Sequence, residues 1–269
     1  MPELKVNGQT AYFQNGGVEW REGRPSVVFV HGAGMDHTVW QQQSRALAHH
    51  GCNVAALDLP GHGESGDVAG IGTMADYTAW LLAFLDAAGW ERAVVVGQSL
   101  GASIAVELAA QHPERCAGLV LIGVGLEMKV HPELLDDTLN NKPRAEDFII
   151  AYTHAPATRL GGAPTPGNWM LGSATALLRA CGETVLHRDF QVCHEWNGGA
   201  FAEKIQCPTL VVNGNRDRMT LLRTVKTLTE TIKNARLEVL DGIGHMVQTE
   251  APRQFLKLLR NFISTRVGE

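Results

Sequence analysis

A chain of 269 residues that is 45% hydrophobic and only 19% charged can bury a full core, which excludes a disordered protein and suits one large α/β domain or a core with an inserted subdomain. Its formal charge of −5 removes the electrostatic case for nucleic acid or an anionic membrane surface, and no apolar run is long enough to span a bilayer. The stretch from Met1 to Gly8 lacks the apolar core of a secretory signal, and the five cysteines (Cys52, Cys116, Cys181, Cys193, Cys207) are scattered and odd in number. They are expected as reduced thiols in a cytoplasmic protein, and no paired Cys/His spacing asks for a metal.

The first segment, Leu4 to Phe13, alternates around Asn7-Gly8 and predicts a hairpin. Short apolar runs follow at Ser26–Val30, Asn53–Leu57, Ala93–Val96, Leu119–Ile122, Thr209–Val212 and Arg236–Leu240. Their apolarity is continuous rather than alternating, which predicts strands buried on both faces, hence a parallel sheet covered by helices. Helical spacing fits Val39–His50, Met74–Ala88 with Gly89 as a stop, the stretch from Leu100 to Leu108, and Pro252–Thr265. The alternation breaks between Gly123 and Phe201. That interval holds Pro132, Pro143, Pro156, Pro164 and Pro166 and short helical stretches at Ala145–Tyr152 and Ser173–Cys181. A structureless loop of such length is unusual, so residues 125–200 are expected as a helical insertion at the carboxyl ends of the strands, with 1–124 and 201–269 forming the core.

The chemistry centres on Gly97-Gln98-Ser99-Leu100-Gly101, which follows the apolar run Ala93–Val96 and precedes a helix. A serine hydroxyl needs an exposed position and a base to act as a nucleophile, and a strained strand-to-helix turn supplies the exposure. The competing reading is a glycine-rich turn in which Ser99 merely caps the helix. The candidate base is His245, in Asp241-Gly242-Ile243-Gly244-His245, just after the last predicted strand. The candidate acid is Asp217, which follows the run Thr209–Val212; Asp241 and Glu127 are its rivals. For the oxyanion, His31-Gly32-Ala33-Gly34 follows Ser26–Val30, and the amides of Ala33 and Leu100 are the candidate donors. Each such donor is typically worth roughly 3 kcal/mol of transition-state stabilisation. His31 itself reads as a group that holds this loop in shape.

These segments, with Trp40 downstream of the first loop and Asp58-Leu59-Pro60-Gly61-His62-Gly63-Glu64-Ser65, make the chain resemble the α/β-hydrolase superfamily over essentially its whole length, in the order Ser, Asp, His. The resemblance implies a mostly parallel eight-stranded sheet and an insertion that covers the site as a cap. It makes Asp58–Ser65 a structural turn and Ser99, Asp217 and His245 a catalytic triad. A serine at position 99, where haloalkane dehalogenases and epoxide hydrolases carry an aspartate, argues against those activities. The expected function is acyl transfer to water on a small hydrophobic ester or lactone, without cofactor or metal. Gly34, Gln98 and Met246 beside the triad, and Met128, Trp169, Met170 and Trp196 from the insertion, are the expected substrate contacts. Carbon–carbon bond hydrolysis of ring-cleavage diketones is the alternative, although Ala33-Gly34-Met35, Gln98 and Leu100-Gly101-Ala102 depart from that pattern. Cofactor-free perhydrolysis and a small-molecule receptor with a hydrolase-like site are further alternatives. The expected partner is the small-molecule substrate, with no nucleic acid or membrane and at most a second copy of the chain in a homodimer.

Overall fold

Asn7 and Gly8 both take positive φ, 51° and 81°, the two left-handed positions that a tight hairpin turn requires. They fold β1 (Glu3–Val6) back on β2 (Gln9–Gln14), with Val6 opposite Gln9. In this computed structural model, which describes residues 3–162 and 169–266, the remaining strands are β3 (Ser26–Val30), β4 (Asn53–Leu57), β5 (Ala93–Gln98), β6 (Cys116–Ile122), β7 (Thr209–Gly214) and β8 (Ala235–Leu240). They form one eight-stranded sheet in the order β1-β2-β4-β3-β5-β6-β7-β8. β2 runs antiparallel to β4, and every pair from β4 to β8 is parallel.

The predicted burial on both faces holds for the interior strands: β4, β5 and β7 are buried at every position. It fails at β8, where only one edge is paired and Val239 is 42% exposed. Side chains on successive residues enter opposite layers, as a strand dictates. Val28 and Val30 share a buried cluster with Tyr77, Leu81 and Ile104 on one face, while Val27 and Phe29 share one with Trp40, Phe255 and Leu259 on the other. Among the helices of those layers are α1 (Gln41–His49), α2 (Met74–Ala87) and α3 (Leu100–Gln111). The expected helix over Val39–His50 begins later, because His37–Trp40 forms a 3₁₀ turn capped by Asp36.

Between β6 and β7 the described chain is helical: α4 (Pro132–Asn140), α5 (Lys142–Thr153), α6 (Pro156–Arg159), α7 (Met170–Ala180), α8 (Glu183–Glu195) and α9 (Gly199–Ala202). One isolated bridge, Glu127 to Asn197, joins the two ends of this segment. The expected prolines Pro164 and Pro166 lie outside the described residues. After β7 come α10 (Leu222–Thr231), α11 (Val247–Glu250) and α12 (Pro252–Arg266). Among the described residues, no helix is long and apolar enough to cross a membrane.

The helix α3 enters the sheet at very close range. A Cβ built at Gly101 would lie 2.2 Å from the Val30 carbonyl oxygen and 2.6 Å from that of His31, and one at Gly97 would lie 2.3 Å from the Gly101 oxygen. These neighbours are backbone and cannot swing away. Gly101→Ala is therefore expected to destabilise the fold by about 3 kcal/mol or more, read as a lower urea midpoint, whereas Gly70→Ala, which meets only open space, should cost less despite its positive φ. An unchanged midpoint in Gly101→Ala would show that the helix can back away from β3.

Candidate active site

Ser99 occupies the corner between β5 and α3 with φ 54° and ψ −116°, the only described non-glycine residue besides Asn7 with a positive φ. Such a conformation costs on the order of 1–3 kcal/mol and persists only where the surroundings impose it. Here Gly97 and Gly101 let strand and helix close up around it. The Ser99 side chain makes no capping hydrogen bond to α3, which removes the reading of this serine as a helix cap. Its amide donates to the Ile122 carbonyl at 2.8 Å, locking the corner to the end of β6.

The residue after Ile122 is Gly123, and the His245 ring packs over it: a Cβ there would lie 2.5 Å from Cε1 and 2.6 Å from Nδ1. Ser99 and the imidazole are thus held around the same strand terminus. His245 Nδ1 lies 2.8 Å from Asp217 Oδ2, with both side chains buried. The other oxygen, Oδ1, accepts the backbone N–H groups of Met219 (2.9 Å) and Thr220 (2.8 Å), so the carboxylate is fixed from two directions. Thr220 Oγ1 in turn donates to the Gly123 carbonyl. A carboxylate only accepts, so Nδ1 carries the proton and Nε2 is left as the basic nitrogen. The hydroxyl of Ser99 makes no hydrogen bond to that nitrogen here.

Neither rival acid reaches the imidazole. Asp241 accepts from Asn215 Nδ2 at 2.7 Å and shapes the turn after β8, while Glu127 accepts from Asn197 Nδ2 at 3.2 Å. The His245 loop comes this close because glycines permit it: a Cβ on Gly214 would sit 2.1 Å from the Ile243 carbonyl oxygen.

The loop His31–Gly34 lies against the serine, with a Cβ on Gly32 only 3.2 Å from that of Ser99. His31 is fully buried; its Nδ1 donates to the Gly32 carbonyl at 2.8 Å and its Nε2 accepts the Leu59 N–H at 3.0 Å, so the ring holds the loop in shape as expected. Ala33 lines the cavity with Ser99, and the Leu100 amide is the first of α3, where no preceding turn supplies an acceptor. The Gly34 amide is instead consumed: it donates to Asp189 Oδ2 at 3.0 Å. The Asp58–Ser65 segment is a structural turn, in which Asp58 accepts from the His37 amide and ring and from the Glu64 amide. Asp36, His37 and Asp58 bring potential metal-ligand atoms within 4.8 Å of one another, but Asp36 caps the 3₁₀ turn at His37–Trp40 and the His37 ring is bonded to Asp58.

Two buried carboxylates outside the predicted set organise the site. Asp189, on α8, accepts from His62 Nε2 (2.8 Å), from the Tyr77 hydroxyl (2.6 Å) and from Gly34. Glu250 accepts from Ala155 N, Thr158 Oγ1, Gly244 N and Met246 N, so it binds the α5–α6 corner to both neighbours of His245. The His245 amide also donates to the Thr153 carbonyl at 2.8 Å. Neither acid stands in a motif; each becomes informative only when its distant donors are known.

Ser99 opens on a cavity of about 780 Å³, within the usual size for small-molecule sites. Of the expected substrate contacts, Met128 lines this cavity. Met170 and Met246 instead line a separate cavity of about 210 Å³ with Met35 and His154. Trp196 is buried in the core, its Nε1 donating to Glu107 at 3.1 Å, because the end of α8 packs onto α3. Trp169 is 78% exposed and folds over Gly172. Gln98 is buried with its Oε1 facing Gly32, and Gly34 packs on Leu178 and Leu186. The walls that the sequence did not single out come from Phe148 and Tyr152 of α5, Phe190 of α8, and Arg218 beside Asp217.

His62 and His31 lie with ring centroids 4.8 Å apart, and their surroundings push their pKa values in opposite directions. Burial opposes a charge on His62, but the Asp189 carboxylate and its hydrogen bond outweigh it and raise its pKa from 6.5 to about 10. For His31, burial and then the neighbouring His62 charge lower it to about 4. Between pH 6.5 and 10 the folded state keeps a proton on His62 that the unfolded chain loses, so stability falls as pH rises. Between 6.5 and 4 the unfolded chain takes a proton that His31 refuses, so stability falls as pH drops. Denaturant midpoints between pH 5 and 8.5 should therefore peak near pH 6.5, and His62→Gln should flatten the alkaline limb. Stability that climbs steadily to pH 8.5 would contradict this charge assignment.

The α/β hydrolase fold model matches residues 25–252. The chain is 29% identical over 258 residues to a 2-hydroxy-6-oxononadienedioate/2-hydroxy-6-oxononatrienedioate hydrolase of Burkholderia vietnamiensis, covering 90% of this chain and 88% of that one. It is 28% identical to a pimeloyl-[acyl-carrier protein] methyl ester esterase of Aromatoleum aromaticum, covering 89% and 98%. Among solved structures it is similar to Est816, described as an N-acyl homoserine lactone degrading enzyme, with a TM-score of 0.84 and 26% identity over 97% of this chain and all of that one. With its sheet order, its helical insertion after β6 and this match over most of its length, the chain belongs to the α/β hydrolase fold family.

Proposed function

We propose that this hydrolase cleaves a carboxylic ester or lactone through a serine-bound acyl intermediate. The observation that carries the reading is Ser99, uncapped in a strained corner at the floor of the cavity, beside a His245 ring already oriented by Asp217 at 2.8 Å. Ser99 Oγ attacks the carbonyl carbon while His245 Nε2 takes its proton. The Ala33 and Leu100 amides donate to the oxyanion, and Asp217 stabilises the imidazolium. Collapse of the tetrahedral intermediate breaks the bond to the leaving group, which takes the proton from Nε2. A water then gives its proton to Nε2 and attacks the acyl carbon, releasing the acid and restoring Ser99. Residues 125–200 act as the cap: Met128, Leu134, Phe148 and Phe190 give the cavity an apolar wall suited to an acyl chain.

Relatives named as esterase and lactone-degrading enzymes support this class. The relative named as a ring-cleavage dioate hydrolase supports the second reading, carbon–carbon bond hydrolysis on the same residues. A p-nitrophenyl ester series of increasing acyl length, run beside a 2-hydroxy-6-oxo-dienoate, separates the two. We expect ester turnover with a burst of one p-nitrophenolate per site. Ser99→Ala and His245→Gln should each lower kcat by at least about 10³-fold, and Asp217→Asn by about 10²-fold or more. Turnover that survives in Ser99→Ala would sink the serine mechanism, and tight ligand binding without consumption would point to a receptor.

A further inference from the structure

The cavity above Ser99 has a cationic wall that acyl transfer leaves unused. Arg218, directly after Asp217, and Arg223, in the first turn of α10, both line it and both are exposed. Among the described residues, neither guanidinium makes an ion pair or donates a side-chain hydrogen bond. Arg115, Arg144, Arg179 and Arg188, by contrast, each pair with a carboxylate.

Arg218 is nevertheless fixed in place. Its Cζ lies 4.0 Å from the centroid of the Tyr152 ring. Tyr152 stacks on Phe148 with centroids 4.1 Å apart and planes 3° from parallel, and Phe148 stacks on His131 at 6.2 Å. This column runs from the loop after β7, across α5, to the start of α4. Stacking on a ring holds a guanidinium through its face and leaves its N–H donors in the plane free for a ligand.

The two carboxylates of the same cavity, Glu127 and Glu133, form no ion pair with Arg218 or Arg223. Glu133 pairs with Arg144 at 3.2 Å, and Glu127 accepts from Asn197. Lys129 adds a third positive group, its Nζ donating to the His194 carbonyl at 3.1 Å. Three cations against two carboxylates leave the cavity lining net positive in a chain of net charge −5, and the two guanidiniums without an ion-pair partner favour an anion at their wall.

We propose that Arg218, with Arg223 on the same wall, binds a carboxylate at the end of the substrate remote from the scissile carbonyl. The preferred substrates are then half-esters or lactone acids: an acyl carbon at Ser99, an apolar spacer along Phe148 and Met128, and a free carboxylate at the guanidinium. This rests on the ester or lactone hydrolysis proposed above, and it narrows that reading to acid-terminated substrates. A planar carboxylate can accept two parallel N–H bonds from a guanidinium, a match that an ammonium does not offer.

The test compares mono-p-nitrophenyl glutarate with p-nitrophenyl valerate, which share a five-carbon acyl chain and differ at the far end. The wild-type chain should prefer the glutarate half-ester, and added salt should shrink that preference. In Arg218→Gln the ratio of kcat/KM values, acid over neutral, should fall about tenfold through a higher KM for the half-ester. Arg218→Lys should fall between the two, and Arg223→Gln should lower the ratio less. Calorimetric binding of glutarate dianion to Ser99→Ala, lost in Ser99→Ala/Arg218→Gln, reads the same site without turnover. Absence of any ester turnover with glutarate still bound would refute the hydrolytic reading and spare the anion site. Turnover without a preference for the half-ester, or equal losses on both esters in Arg218→Gln, would overturn the anion site alone.

Discussion

The approach of α3 to the carboxyl end of β3 leaves room at position 101 for a hydrogen and nothing larger, and most of the site is a consequence of that fit. Because Gly101 sits against the Val30 and His31 carbonyls, the chain leaving β5 must turn within one residue, and Ser99 takes the left-handed φ that this turn demands. The same contact lays the His31–Gly34 loop alongside the serine and sets the first turn of α3 below it. The position of Ser99, the helix amides and the loop are therefore consequences of one steric constraint rather than three separate devices. Close packing of this kind has little give, because its neighbours are backbone atoms.

A second layer of organisation is electrostatic. Asp189 and Glu250 are buried acids that reach from the helical segment and from α11 into the surroundings of Ser99 and His245. An ion pair such as His62–Asp189 adds little net stability over an apolar substitute, but removing one partner leaves a buried charge uncompensated, typically at about 3–5 kcal/mol. Its value here is geometric. The carboxylate that neutralises His62 also holds the Gly34 amide, while burial and then the His62 charge keep His31 neutral and able to accept the Leu59 N–H.

Much of this was legible in the residues. Gly97, Ser99 and Gly101 following Ala93–Val96 identify the corner because only glycine tolerates the backbone contacts on either side. Asp217 and His245 could be picked out because each follows an apolar run that becomes a strand, and strand ends in a parallel sheet converge. The contacts of the helical segment were not legible, since helical spacing says which face is apolar but not what that face meets. Trp196 reads equally well as a pocket wall and as core, and a single partner, Glu107, decides it. Asp189 and Glu250 escaped for a different reason: their donors lie on other elements, up to 155 residues away in the case of Gly34 and Asp189. Burial of β8 was overstated because a sequence does not announce which strand ends the sheet.

The Gly34–Asp189 hydrogen bond also bears on how such a chain can change over evolution. Insertions after the sixth strand are often pictured as interchangeable parts, fitted to a constant core to give a new specificity. Here one side chain of α8 completes the hydrogen bonding of a core loop, and Arg188 next to it binds the Pro60 carbonyl and Asp67. Moving this segment to another core would require His62, Tyr77 and the turn around Pro60 to travel with it. Drift in substrate preference should accordingly run through cavity-lining side chains that carry no hydrogen bond to a core loop, such as Leu134 and Phe148, while Asp189 and its partners change together or not at all.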